Sequence, residues 1–332
     1  MQVYISKKYA LQDIHTRELT KFCGSGIKPD VVVHRDQKSA EIPDKRTIEL
    51  MGEFKHDKGC DPFVDDSPDD VRTKTVMGLA TLEQITSYAT CHMAMQSRTH
   101  VFQFLVIADY ARLLRWDRSG VIVTRKIALN DKNLAEFFWR FCHLALGERG
   151  WDTTMTRPLD NTEVEEARVK LSEAKGVLGN DNDDLPHRYA KITLEHDSYI
   201  VHRLPHIGTE SPFGRATRAF AAYSLGTKRV VFLKSTWRVV GETRKPEHEI
   251  YDKLRKAGVK HIPHVLEAQD VFGHMTQTQA ANDEFKKFAK NLRTLQHYIL
   301  VLEELGRGLA SFRSSRELLN VLGDAAEGML PE

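Results

Sequence analysis

Two groups of residues have types and spacings that can do chemistry. In the first third, Asp30 follows Pro29 at the start of the apolar run Val31-Val32-Val33. Glu53 lies near the end of a second strand-like run, residues 47–54, and Lys55 comes directly after it. Two carboxylates at the ends of neighbouring strands can hold Mg²⁺. A lysine two residues beyond the second carboxylate lies on the same strand face, where it can orient an attacking water. Gln84 and Tyr88, four apart on a helix-periodic stretch, share a face that can approach those carboxylates. In the last third, the apolar run Val230-Val231-Phe232-Leu233 delivers Lys234 at its end. After Pro246 the pattern predicts a helix with Glu249 about one turn in, an apolar face of Ile250, Leu254 and Ala257, and Gly258 as its cap. A strand lysine held by a helix glutamate can grip nucleotide phosphates. The same types also serve as a surface lysine and a solvated carboxylate.

Elements must position these groups. The pattern predicts a helix over 13–22, strands over 31–33 and 47–54, and an acidic, proline-containing loop over 61–70. A long helix follows over 79–97, with Leu82, Ile85, Ala89 and Met93 on one face. Next come a strand over 101–108, a hairpin of 111–116 and 121–126 around Asp117-Arg118-Ser119-Gly120, and an amphipathic helix over 134–146. Residues 149–186 turn polar, with a charged helix over 162–175 and an Asp/Asn run at 179–184 that lacks EF-hand spacing. Strands are predicted over 189–194, 199–204, 213–225, 230–234, 265–271 and 297–302, then a helix over 316–329. The division is an N-terminal domain over 1–150, a linker over 151–187 and a second domain over 188–332.

Composition narrows the class. The 332 residues are 41% hydrophobic and 28% charged with a formal net charge of +2, so no global field points to nucleic acid or membrane. Cys23, Cys60, Cys91 and Cys142 are too scattered for a zinc ribbon or a disulfide scaffold. The N-terminus lacks a signal-peptide core, and the stretch 101–114 is too short and too charged to span a bilayer. An intracellular protein, cytoplasmic or nuclear, is the expectation. His261 and His264 flank Ile262-Pro263 without a sequence-adjacent carboxylate and read as a turn. Trp116, Trp139, Trp151 and Trp237 read as core or rim aromatics, and Lys286, Lys287 and Lys290 as a solvated helix face.

The order Pro29-Asp30, Glu53-Phe54-Lys55, Gln84-Ile85-Thr86-Ser87-Tyr88 resembles the PD-(D/E)xK nuclease family, including the Q-x-x-x-Y helix of one of its branches. The resemblance implies an α/β nuclease-like domain, a mixed sheet with flanking helices. It also implies Asp30 and Glu53 as Mg²⁺ ligands, Lys55 as the catalytic lysine, and nucleic acid as a partner through this domain alone. Glu18 is the only nearby candidate for a further helix ligand. His34-Arg35-Asp36-Gln37-Lys38 reads like a kinase catalytic loop. It precedes the strand lysine, and Glu41 stands where the metal-binding asparagine belongs, so the match is a coincidence.

The pieces FGRATR, VFLKSTWR, HEIYDKLRKAGV and ILVLEELG, preceded by RLLRWDRSG and LAEFFWRF, resemble the fungal-type protein kinase family over nearly the whole chain. That resemblance implies an α+β protein-kinase-like N-lobe with the start of the helical C-lobe, and Ser/Thr phosphotransfer using ATP and Mg²⁺. It makes Lys234 the phosphate-binding lysine, Glu249 its partner, Leu302 the gatekeeper, and Glu303 to Leu305 the hinge that receives adenine. Gly214 falls in the place of the phosphate-covering loop, without G-x-G-x-x-G. No catalytic H-R-D and no D-F-G follow the hinge. The expectation is a chain truncated before the catalytic loop and inactive as a kinase, with ATP weakly bound or not at all. A protein partner is expected on apolar surface left uncovered around Leu302, Leu305, Leu318, Leu319 and Leu322. The alternatives are a Mg²⁺-dependent nuclease and a non-catalytic interaction module.

Overall fold

The computed structural model describes residues 9–14, 21–22, 25–35, 47–66, 71–156, 161–174, 189–202, 211–241, 243–280 and 292–328. Glu18, Asp36 to Lys38, Glu41, the Asp/Asn run at 179–184, and Lys286, Lys287 and Lys290 lie outside the described residues. By contact the chain forms two units. The first comprises 1–153, 205–216 and 276–294; the second comprises 154–204, 217–275 and 295–332. Among the described residues no helix is long and apolar enough to cross a membrane.

The first unit contains β1 (Ala10–Asp13), the two-residue pair β2 (Lys21–Phe22) and β3 (Ser25–Gly26), β4 (Val31–His34) and β5 (Ile48–Lys55). It continues with α1 (Val76–Met95), β6 (His100–Ile107), β7 (Tyr110–Asp117), β8 (Val121–Val123), β9 (Ile127–Ala128) and α2 (Lys132–His143). The main sheet runs β1-β4-β5-β6-β7-β8, with β9 also on β7. β5 and β6 are parallel, so α1 is their crossover, while the other pairings are antiparallel. The helix predicted over 13–22 is not what its described residues adopt. Asp13 ends β1, which pairs with β4, and residues 21–22 form β2. The short apolar segment gains more by completing a sheet than by forming an isolated helix of marginal length.

Alternation along β5 decides what each face carries. Leu50 packs with Val33, Phe104, Phe138 and Phe141 on the α2 side. Gly52 faces Phe104: a Cβ there would lie 2.1 Å from Cζ of that ring, which is braced edge-on by Phe138 at 5.4 Å. On the other face Met51 packs with Val32, Tyr88 and Cys91. Glu53 and Lys55 continue the Met51 face, toward α1. That helix starts at Thr75, whose hydroxyl accepts the Gly78 N–H at 3.1 Å. It buries Ile85, Ala89 and Met93 against Leu105, Leu114 and Trp116.

The second unit contains β10 (Met155–Thr156), α3 (Asn161–Glu173), β11 (Tyr189–Thr193), β12 (Ser198–His202), β13 (Arg218–Ser224) and β14 (Val230–Val239). After these come α4 (Glu247–Lys256), β15 (Val265–Met275), β16 (Leu295–Leu302) and α5 (Ser315–Glu327). One antiparallel sheet runs β10-β11-β12-β13-β14-β16-β15. α3 lies within the stretch assigned to a linker, yet Val164, Ala167 and Leu171 pack on Tyr189, Ile200 and Tyr223. The strand predicted from 213 begins only at Arg218, because Gly214 (φ 89°) and Ala216 (φ 40°) turn the chain first. Along β14, Val231 and Leu233 enter one core face. Phe232 packs on the other with Tyr251, Tyr298, Leu300 and Leu302, and Lys234 shares that face with Phe232.

Candidate functional site

Lys234 projects from β14 toward the start of α4. Its Nζ donates to Glu247 Oε2 at 2.6 Å and Oε1 at 3.0 Å. Both side chains are less than a third exposed, so solvent screens the pair only in part. The expected partner, Glu249, is instead held by Lys245 at 3.5 Å. Helix phase explains the correction. Residues two apart point to nearly opposite sides of a helix, whereas residues four apart share one. Tyr251 packs on the sheet, which places Glu247 on the sheet side and Glu249 away from it. The inward stripe is therefore Glu247, Tyr251 and Leu254; Ile250, assigned to the apolar face, is 49% exposed. Only the phase set by Tyr251, the larger apolar group, could have singled out Glu247 in the sequence. His248 completes the contact: its N–H donates to the Tyr298 hydroxyl at 3.1 Å.

At the end of β16, Leu302 is buried in the cluster around Tyr298 and Leu300 rather than uncovered. Leu305 and Leu318 are half-buried, and Leu319 and Leu322 on α5 are exposed. The Glu303 N–H donates to His264 O at 2.9 Å. His264 and His261 do meet carboxylates, contrary to the expectation from local sequence. Glu304 contacts His264, and Glu327 lies 3.2 Å from His261. These partners come from residues 40 and 66 positions away, so no local spacing could reveal them. Gly214 groups with the first unit, where its N–H donates to Arg118 O at 2.8 Å and Arg118 Nη1 donates to Pro212 O at 3.0 Å.

In the first unit, Glu53, Lys55, Gln84 and Tyr88 form one hydrogen-bonded group. Glu53 Oε1 accepts from Lys55 Nζ at 2.7 Å and from Gln84 Nε2 at 2.8 Å. Lys55 also donates to Gln84 Oε1 at 2.8 Å. The Tyr88 hydroxyl accepts from Gln84 Nε2 at 2.6 Å and lies 3.0 Å from Glu53 Oε2 and 2.7 Å from Lys28 O. Asp30, just before β4, accepts the Phe54 N–H at 2.8 Å. The structure thus brings Asp30 beside the strand end that carries Glu53 and Lys55. Among the described residues no trio of close His, Cys, Asp or Glu ligands includes either carboxylate. Burial raises the Glu53 pKa, while its bond to Lys55 pulls the other way and the Asp30 charge adds to the rise.

The model of the family described as "Fungal protein kinase" matches residues 28–330. No curated protein and no solved structure matches the chain.

The Glu53 shift gives a signed prediction. Its folded pKa lies above the unfolded value of about 4.3, so its contribution to stability is fully present below that value and is lost as pH rises through the folded pKa. Urea unfolding of wild type and Glu53→Gln between pH 4 and pH 8 should show the wild type losing ground to the variant as pH rises. A flat difference, or one rising with pH, would contradict a carboxylate whose ionised form is penalised by burial.

Proposed function

Because the chain belongs to the fungal protein kinase family, we propose that its second unit is the phosphate grip of an ATP-dependent Ser/Thr phosphotransfer fold. The observation that carries this reading is the Lys234–Glu247 pair between β14 and α4. Kinases hold the phosphate-binding strand lysine by a glutamate on the following helix. An ammonium has three donors, so with two on Glu247 one is left for a phosphate oxygen. Glu247 takes the partner role expected of Glu249. Leu302 precedes the hinge. The Glu303 N–H is bonded to His264 O, so Glu303 would meet adenine through its carbonyl and Leu305 through its backbone. Gly214 is left out of the grip because its N–H is already used by Arg118 O. The residues of this unit fit the phosphates, and for these residues the reading is ATP binding.

A second reading, Mg²⁺-dependent phosphodiester hydrolysis by the first unit, is favoured by one observation: Glu53, Lys55, Gln84 and Tyr88 share one hydrogen-bonded group next to Asp30. Two carboxylates suit a hard oxygen-binding cation, which would polarise a phosphodiester and lower the pKa of a bound water. Asp30 and Glu53 would hold the ion, and Lys55 would orient the water. Gln84 and Tyr88 fix the Glu53 carboxylate, and nucleic acid is the substrate class.

One set of variants tests both readings. In titrations with a fluorescent ATP analogue, Lys234→Met should remove measurable binding. Glu247→Gln should weaken it by about tenfold, the scale of one charge-assisted hydrogen bond, and Glu249→Gln should leave it unchanged. Equal effects of Glu247→Gln and Glu249→Gln, or binding indifferent to Lys234, would refute the grip. With plasmid DNA and Mg²⁺, the second reading expects cleavage that disappears in Glu53→Gln; no cleavage, or cleavage that survives, refutes it.

A further inference from the structure

Buried arginines in the first unit are treated in two different ways. Arg112, fully buried on β7, has two carboxylates: Asp61 at 2.8 Å and Asp65 at 2.6 Å. Its remaining donors go to Thr124 O and Phe63 O. That is how a buried guanidinium is normally matched. By contrast Glu49, 1% exposed, is the one carboxylate among the described residues that faces Arg35, Arg98 and Arg149, at 3.0, 3.2 and 3.2 Å. Trp151 Nε1 also donates to it at 3.1 Å, and the guanidiniums of Arg35 and Arg98 lie 4.5 and 3.9 Å from the centre of that indole. Three cations against one anion leave two positive charges unmatched among the described residues.

The donor count points the same way. Of its five N–H groups, Arg98 gives Nε to Gln96, one Nη1 hydrogen to Arg149 O, and Nη2 to Ile48 O and Glu49. Arg149 gives Nη1 to the Tyr9 hydroxyl at 2.6 Å and is ion-paired with Glu49 at 3.2 Å, but its Nε is buried without a partner, in a residue 6% exposed. Arg35 gives Nε to Glu49, and its side chain, 35% exposed, opens the cluster to solvent. Glu49 already accepts from Arg35, Arg98 and Trp151 and is ion-paired with Arg149. Burial lowers Arg98 to about 10 although Glu49 pulls it up, with Arg35 and Arg149 as smaller lowering causes, and burial plus Arg98 lowers His92 to about 3.

We infer that Arg35, Arg98 and Arg149 form a binding site for a dianionic phosphate group, with Arg35 as its solvent-facing gatepost and the Arg149 Nε as its buried donor. The excess of two charges among the described residues equals that of a phosphate dianion, and the planar fork of arginine suits phosphate oxygens. Glu49 is the positioning residue that holds the three guanidiniums together. The site is independent of the Lys234 grip.

The test is thermal unfolding and calorimetry of the full chain with inorganic phosphate and, in parallel, phosphoserine; acetate at matched ionic strength is the monoanion control. Wild type should show a saturable stabilisation with at least one phosphate compound and none with acetate, and the tighter of the two compounds identifies the natural source. Lys234→Met should keep the response. Arg35→Gln should weaken binding by about tenfold, and Arg35→Lys, which keeps the charge but loses the fork, should fall between. Circular dichroism checks that both variants are folded. If either does not fold, the wild-type contrast between phosphate and acetate decides. No saturable response, an equal response to acetate, or an unchanged affinity in folded Arg35→Gln would overturn the inference.

Discussion

The ion pair between Lys234 and Glu247 is the contact on which the second unit's chemistry depends. α4 has no fully buried residue, so it cannot be held by burial alone in the way α1 is. What ties it to the sheet is half-buried Tyr251, the His248 contact to Tyr298, and the charge pair at its first turn. The pair suits the helix as well: Glu247 sits at the positive end of the helix dipole, and Lys253, Arg255 and Lys256 lie at the negative end. A lysine fixed this way keeps one ammonium donor directed by the fold rather than wandering on a flexible stem.

The first unit solves a different problem. Its β5 is covered on one face by aromatic residues and on the other by α1, so Glu53 is only 3% exposed. A carboxylate in that position is costly unless hydrogen-bonded, and Lys55, Gln84 and Tyr88 supply those bonds. Gly52 is part of the same solution. The Phe104 ring occupies the space its side chain would fill, which seals the opposite face behind Glu53. Glu49 lies on the same strand and, among the described residues, is the one carboxylate against the three arginines beside it.

Local periodicity made much of this legible. The apolar run ending at Lys234, the Gln84–Tyr88 spacing and the i, i+2 relation of Glu53 and Lys55 each follow from strand or helix geometry over a few residues. The Glu247 pairing was harder to read because it turns on helix phase, and Ile250 offered a competing stripe that the fold leaves in solvent. Contacts such as His264 with Glu304, or Gly214 with Arg118, join residues far apart in sequence and leave no local trace. The segment 13–22 misled for a related reason: the pairing of β1 with β4 is tertiary, and it overrides a weak helical preference.

The most direct measurement is a double-mutant cycle read by hydrogen exchange of the α4 amides, in wild type, Lys234→Met, Glu247→Gln and the double variant. If the pair anchors the helix, each single change speeds exchange and the double adds little, giving a coupling of about 0.5–1 kcal/mol for a partly shielded ion pair. The same cycle with Glu249→Gln should show no coupling. Additive effects of Lys234→Met and Glu247→Gln, or coupling to Glu249 instead, would contradict the account.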